Sequence, residues 1–110
     1  MIYFDNAATS PLSPSVIEAM TQTMGTVFGN PSSLHAHGRE AKKLLRDARQ
    51  TIASCLHTKS DQITFTSGGT EGDNWVIKGV AFEKVQFGKH IIVSAIEHPA
   101  VKESALWLKT

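Results

Sequence analysis

The sequence predicts an α/β fold, and three observations carry that expectation. Two short β-prone runs, at residues 62–66 (QITFT) and 90–94 (HIIVS), each precede a segment whose apolar residues recur at helical spacing. Glycines punctuate the joins, Gly68 and Gly69 after the first run and Gly88 before the second. Strand, helix, strand, helix in that order implies a right-handed βαβ unit on a parallel sheet.

The elements follow in chain order. Ile2, Tyr3 and Phe4 are β-prone and run into Asp5 and Asn6, which favour turns, so residues 1–13 read as an N-terminal arm with a short strand or extended start. Ser13 is an N-cap residue ahead of Pro14, and Val16, Ile17, Met20 and Met24 recur on one side of the helix that follows. Residues 25–38, GTVFGNPSSLHAHG, have loop chemistry, and loops of that length are usually functional or disordered. From Arg39 to Leu56 a helix is expected, with Ala41, Leu45, Ala48, Ile52 and Leu56 inward and Lys42, Arg46, Asp47, Arg49 and Gln50 toward water. Residues 14–60 therefore hold helices and one long loop, and residues 61–110 hold the βαβα pattern.

Within that last part, Thr70 opens a helix running to about Val85, and Asp73 three residues on resembles the partner of a capping box. Phe87, Gly88 and Lys89 end it. Pro99 begins a final helix through Lys109. The pattern breaks off one helix after the second strand, so it reads as part of a larger α/β domain with apolar area seeking a partner, and self-association is expected.

Composition narrows the function. A chain of 110 residues is enough for about one domain with one core, burying roughly two-thirds of its unfolded surface. Eleven basic against ten acidic side chains give a net charge of +1, which argues against nucleic acid or an acidic membrane as partner. No apolar run approaches the ~20 residues that span a bilayer. Cys55, the one cysteine, has no internal partner, and the N-terminus lacks a leader pattern, so a cytoplasmic protein is expected.

Chemistry gathers where the strands would end. Ligands of open α/β sheets bind beyond the carboxyl ends of the strands, where TSGGT (66–70) and SAIEH (94–98) lie. Gly68 and Gly69 let main-chain N–H groups approach a ligand, and the start of the next helix favours an anion such as phosphate. The competing reading is a tight turn with a cap. Neither the Gly-Lys-Ser/Thr ending of a P-loop nor G-x-G-x-x-G is present, which argues against a nucleoside triphosphate. His98, between Glu97 and Pro99, either stacks on a ligand ring and relays a proton or caps the following helix, and from spacing alone the cap is favoured. His35 and His37 lack a third metal ligand at useful spacing, so no metal is expected.

Four blocks, FDNAATSPLSPSV, FGNPSSLHAHGREA, FTSGGTEGDNWVIKG and EHPAV, occur in order. Together they resemble the N-terminal part of pyridoxal-phosphate-dependent cysteine desulfurases, a class V aminotransferase-like family, in its iron-sulfur-assembly type. The resemblance spans essentially the whole chain. It implies a partial fold-type I pyridoxal-phosphate transferase large domain: N-terminal arm, helices and the start of a mostly parallel sheet. The implied enzyme is a homodimer that binds pyridoxal 5'-phosphate, takes sulfur from L-cysteine to leave alanine and an enzyme persulfide, and passes the sulfur to an acceptor or scaffold protein.

By the same resemblance, Gly69 and Thr70 match positions that hold the cofactor phosphate, and His98 matches a catalytic histidine that stacks on the pyridine ring. Asn6, Ala7 and Asn30 lie in segments that resemble the family's substrate side. The family's Schiff-base lysine follows Ser-x-His; Lys42, Lys43, Lys78, Lys89 and Lys102 do not, so they read as solvated charge. Cys55 reads as a small, partly buried helical thiol and not as the sulfur acceptor. The resemblance therefore implies an inactive piece of a desulfurase, the alternative being a non-catalytic phosphate-binding or interaction module of the same fold.

Overall fold

The computed structural model describes residues 2–109. Met1 of the expected arm and Thr110 after the expected last helix lie outside the described residues. The chain forms two compact units, one running up to Ile63 and the other beginning at Thr64.

In the first unit the arm is extended and then turns. Tyr3 donates its hydroxyl to the carbonyls of Asp5 (2.9 Å) and Thr9 (3.2 Å), and the N–H groups of Ala8 and Thr9 both return to Asp5 O. Helix α1 spans Pro14–Thr26, with Ser13 Oγ accepting from Val16 N–H at 3.4 Å and proline at the first helical position. Helix α2 spans Ala36–Cys55 and so begins three residues before the expected Arg39. His35 supplies the cap: its Nδ1 accepts from Gly38 N–H at 3.3 Å.

The residues between α1 and α2 are tightly built. Asn30 Oδ1 accepts from Ser32 N–H (2.9 Å), and Asn30 O accepts from Ser33 N–H (2.9 Å). Two glycines are required by contact: a Cβ on Gly29 would stand 2.3 Å from His37 O, and one on Gly38 2.3 Å from Ser33 O. The end of α2 closes as a Schellman turn, with Thr58 N–H reaching Ala53 O and His57 N–H reaching Ser54 O. His57 takes the left-handed position at φ 51°.

The second unit holds α3 (Gly69–Glu83) and α4 (Pro99–Trp107), packed on each other. Phe82 and Trp107 meet edge to face at 6.3 Å, and Lys78 Nζ lies 4.7 Å from the Trp107 ring centre. Ala100 and Ser104 are buried beneath, Ser104 Oγ donating to Ala100 O at 2.6 Å. Gly88 turns the chain after α3 at φ 152°, a conformation that favours glycine.

Several expectations are corrected. No strand ladder forms among the described residues, neither at 2–4 nor at 62–66 nor at 90–94. Ser60–Gln62 is a 3-10 turn, steadied by Lys59 N–H on Gln62 Oε1, and Ile63 follows it in extended conformation at φ −100°, ψ 122°. Residues 91–93 keep the alternation of a strand: Ile91 is 43%, Ile92 86% and Val93 39% exposed. A ladder needs a neighbouring backbone to exchange hydrogen bonds with, and none of the described residues supplies one there.

The single core is also corrected: among the described residues the buried apolar side chains are Ala41, Ala53 and Ala100, while Leu45, Ile52 and Leu56 of the α2 stripe remain exposed. Amphipathic helices bury their apolar faces only where another element covers them. Cys55 is exposed and not partly buried, because the 3-10 turn that packs on α2 leaves it uncovered while Ala53 is buried. Thr70 and Asp73 do not form a capping box; Gly68 is the N-cap of α3 and offers no side chain to accept. Lys78 is half-buried and bonded, not a solvated charge.

Candidate functional site

The start of α3 is where main-chain donors are left over. The first intrahelical bond runs from Gly72 N–H to Gly68 O, at 3.2 Å. The N–H groups of Gly69, Thr70 and Glu71 therefore point along the helix axis with no acceptor among the described residues. The backbone beside them is uncrowded: a Cβ built on Gly68 or Gly69 meets no heavy atom within 4 Å. Uncrowded backbone and three free donors at the positive end of a 15-residue helix suit a phosphate.

The turn itself is clamped. Glu71 Oε2 accepts from Ser67 N–H (2.5 Å) and from Ser67 Oγ–H (2.6 Å), and Thr66 Oγ1 donates to Gly68 O (3.2 Å). The Ser67 hydroxyl, and after it the Ser67 N–H, stabilise the ionised carboxylate and hold the Glu71 pKa below its ordinary 4.5. Glu71 thus spends its charge one turn back on Ser67 and leaves the donors of Gly69 and Thr70 unanswered.

Behind the cradle a chain of polar groups follows the helix at intervals of four. Asn74 Nδ2 donates to Thr70 O (2.9 Å), and Lys78 Nζ donates to Asn74 Oδ1 (2.7 Å). Thr70, Asn74 and Lys78 line an open depression of about 660 Å³ whose other wall is α4, from Pro99 and Ala100 to Trp107. The first turns of α3 and α4 therefore face one hollow, and His98 immediately precedes the second of them.

His98 is the N-cap of α4: its Nδ1 accepts from Ala100 N–H at 3.1 Å. That bond fixes the neutral tautomer, with the hydrogen on Nε2, so the ring presents a donor on its free edge. The capping role favoured from spacing is present. Gly69, Thr70 and His98 all belong to the second unit; Asn6, Ala7 and Asn30 belong to the first. Asn6 and Ala7 form part of the turn at 6–8, and Asn30 is engaged with Ser32 and Ser33 of its own loop. Sequence reasoning missed Glu71, Asn74 and Lys78, although the spacing Thr70, Asn74, Lys78 along one helix side was available to find the last two. No group of three metal-binding side chains is gathered among the described residues.

The chain is similar to known proteins along nearly its whole length. Residues 2–110 match the aminotransferase class-V family model. A cysteine desulfurase IscS of Methanosarcina thermophila is 48% identical over 108 residues, and one of Dictyoglomus turgidum 51% identical over 108 residues; each alignment takes in 98% of this chain and 27% of the relative. A NifS/IcsS protein homologue of Lactobacillus delbrueckii subsp. bulgaricus is 50% identical over 101 residues, 92% of this chain and 26% of that protein. The chain thus spans about a quarter of the length of these curated relatives. Among solved structures, a NifS-like protein superposes with a TM-score of 0.91 at 38% identity, covering 98% of this chain and 30% of the other. A family match that runs along residues 2–110, with relatives about half identical over nearly the whole chain, leads to one conclusion: the chain belongs to the class-V aminotransferase family.

Proposed function

We propose that this chain is the arm and phosphate-binding segment of a pyridoxal-phosphate-dependent cysteine desulfurase, a homodimer in its full form. That enzyme takes sulfur from L-cysteine, leaves alanine, and hands the sulfur to an acceptor for iron-sulfur cluster or thio-cofactor assembly. The observation that carries the reading is the cradle at α3: three unanswered N–H groups beside uncrowded backbone at Gly68 and Gly69. Relatives bearing the name cysteine desulfurase support it.

In this reading Gly69 and Thr70 hold the cofactor phosphate through main-chain N–H groups, and the Thr70 hydroxyl adds a further donor. Glu71 holds the Ser67–Gly68 turn in the shape the phosphate needs. The cofactor ring, when bound, supplies an electron sink for bond cleavage at the amino acid. His98 meets that ring from the start of α4 and presents the Nε2 hydrogen, while Nδ1 stays on Ala100. Asn6, Ala7 and Asn30 belong to the substrate side. The Schiff-base lysine and the sulfur-accepting cysteine are supplied by sequence other than this one.

Titrating the 110-residue chain into pyridoxal phosphate and following the phosphorus resonance tests the cradle. Saturable binding is expected, displaced by inorganic phosphate and weakened about tenfold by Gly69→Pro, which removes one main-chain N–H, or by Thr70→Val, which removes the hydroxyl, each the loss of one charge-assisted donor. Binding that phosphate does not displace, or that both variants retain in full, would refute it. The chain alone is expected to release no sulfide from L-cysteine.

A further inference from the structure

In the first unit, residues 31–34 fold back beside α2 and enclose a groove of about 1000 Å³. Its rim is cationic, with Arg39, Lys42, Lys43, Arg46 and Arg49 following one another along about 15 Å of helix. Its apolar lining is Pro31, Leu34 and Leu45, and Leu34 is 90% exposed. A leucine standing in water beside a row of cations on α2 is an unusual surface for a chain whose net charge is only +1.

Part of that charge is engaged within the unit, and Arg49 Nε donates to Ile63 O at 3.1 Å. Asp47 takes Lys43 Nζ at 2.8 Å and Arg46 Nε at 3.5 Å. Arg39 Nη1 donates to Leu34 O at 2.5 Å, which fixes the guanidinium and the loop together without cancelling the charge. Lys42 has no acidic partner among the described residues.

We propose that this groove docks an acidic, amphipathic segment of a partner protein. Carboxylates of the partner meet Lys42, Lys43 and Arg46, and one apolar side chain covers Leu34 and Leu45. Protein interfaces have this build, an apolar centre inside a polar rim with arginine over-represented. Nucleic acid fits less well, since no aromatic ring lines the groove to stack a base, and the apolar lining offers nothing to a phosphate backbone. The inference rests on the first unit alone and does not depend on the cofactor reading.

The test uses the whole 110-residue chain and a fluorescein-labelled helical peptide with glutamate at every fourth position and one central leucine. Saturable binding is expected by anisotropy, with amide shift changes confined to residues 31–49. It should weaken about tenfold in the double variant Lys42→Glu, Arg46→Glu, in Leu34→Asp, and on raising salt from low to several times physiological ionic strength. Lys89→Glu, in the other unit, should bind as the parent does. Replacing the peptide's leucine by serine should also weaken it. Three results would overturn the proposal: no saturable binding to the parent chain, shift changes outside the groove, or tighter binding of a single-stranded oligonucleotide of equal charge, which would make the face a nucleic-acid surface. Salt dependence and shift mapping use the unaltered chain, so they decide the question even where a variant fails to fold.

Discussion

At the scale of single residues, His98 combines a structural bond with the chemical role proposed for it. Its Nδ1 caps α4 through Ala100 N–H, so protonating that nitrogen would break the cap. Two substitutions separate the roles. His98→Ala removes cap and ring and should destabilise the chain by about 1 kcal/mol in urea unfolding, whereas His98→Asn keeps a capping oxygen and should unfold near the parent midpoint. Both should lose the ring's contribution to pyridoxal phosphate binding; an asparagine variant that binds like the parent would remove His98 from the cofactor site. Glu71 supplies a pH prediction. Its pKa is lowered in the folded chain by the Ser67 hydroxyl and N–H, so the clamp contributes fully above the ordinary value of 4.5. It is lost as pH falls through the lower folded value. Carboxyl carbon shifts followed from neutral to acid pH should place the Glu71 midpoint below 4.5, and the Ser67 amide should move with it. Gly69, Thr70 and His98 were legible as candidates because a glycine pair before a helix and a histidine before Pro99 are local signals. Glu71 was not, because its value comes from folding back four residues onto Ser67.

At the scale of elements, the four α-helices among the described residues were legible, and cap chemistry decided where each starts. Ser13 with Pro14 placed α1 where expected. His35 drew α2 back to Ala36, since a histidine acting as cap is a weaker sequence signal than serine or aspartate. The end of α2 carries a testable strain. His57 sits left-handed at φ 51° in a Schellman turn, a position glycine takes without a Cβ penalty. His57→Gly should raise stability by about 1 kcal/mol, read as a later urea midpoint at unchanged slope. An earlier midpoint would mean that the imidazole makes contacts worth more than the backbone strain. The two expected strands were legible only as apolar, alternating runs, and their alternation persists in the exposure of Ile91, Ile92 and Val93.

At the scale of the whole molecule, apolar surface outweighs what is covered. Phe4, Phe87, Ile92 and Ile96 are all more than three-quarters exposed, and no helix among the described residues is long and apolar enough to cross a membrane. Surface of that kind associates in water. Light scattering on the chain at rising concentration should therefore report species heavier than 12.0 kDa, and a steady monomer mass would contradict the expectation. One core was expected at this scale; two units are found, and among the described residues the buried apolar side chains are three alanines.

The sequence by itself determined the helices, the glycine turn before α3, and through four quoted blocks the family. Those are properties of neighbours a few residues apart, written in caps, spacing and backbone freedom. Tertiary structure alone decided which apolar faces are covered, that Thr70 and Pro99 line one hollow, that Gly29 and Gly38 have no room for a side chain, and that α2's cations share a groove with an exposed leucine. Whether an alternating run pairs as a strand, or an apolar stripe becomes a core, depends on another stretch of chain lying against it, and no periodicity within a segment contains that information.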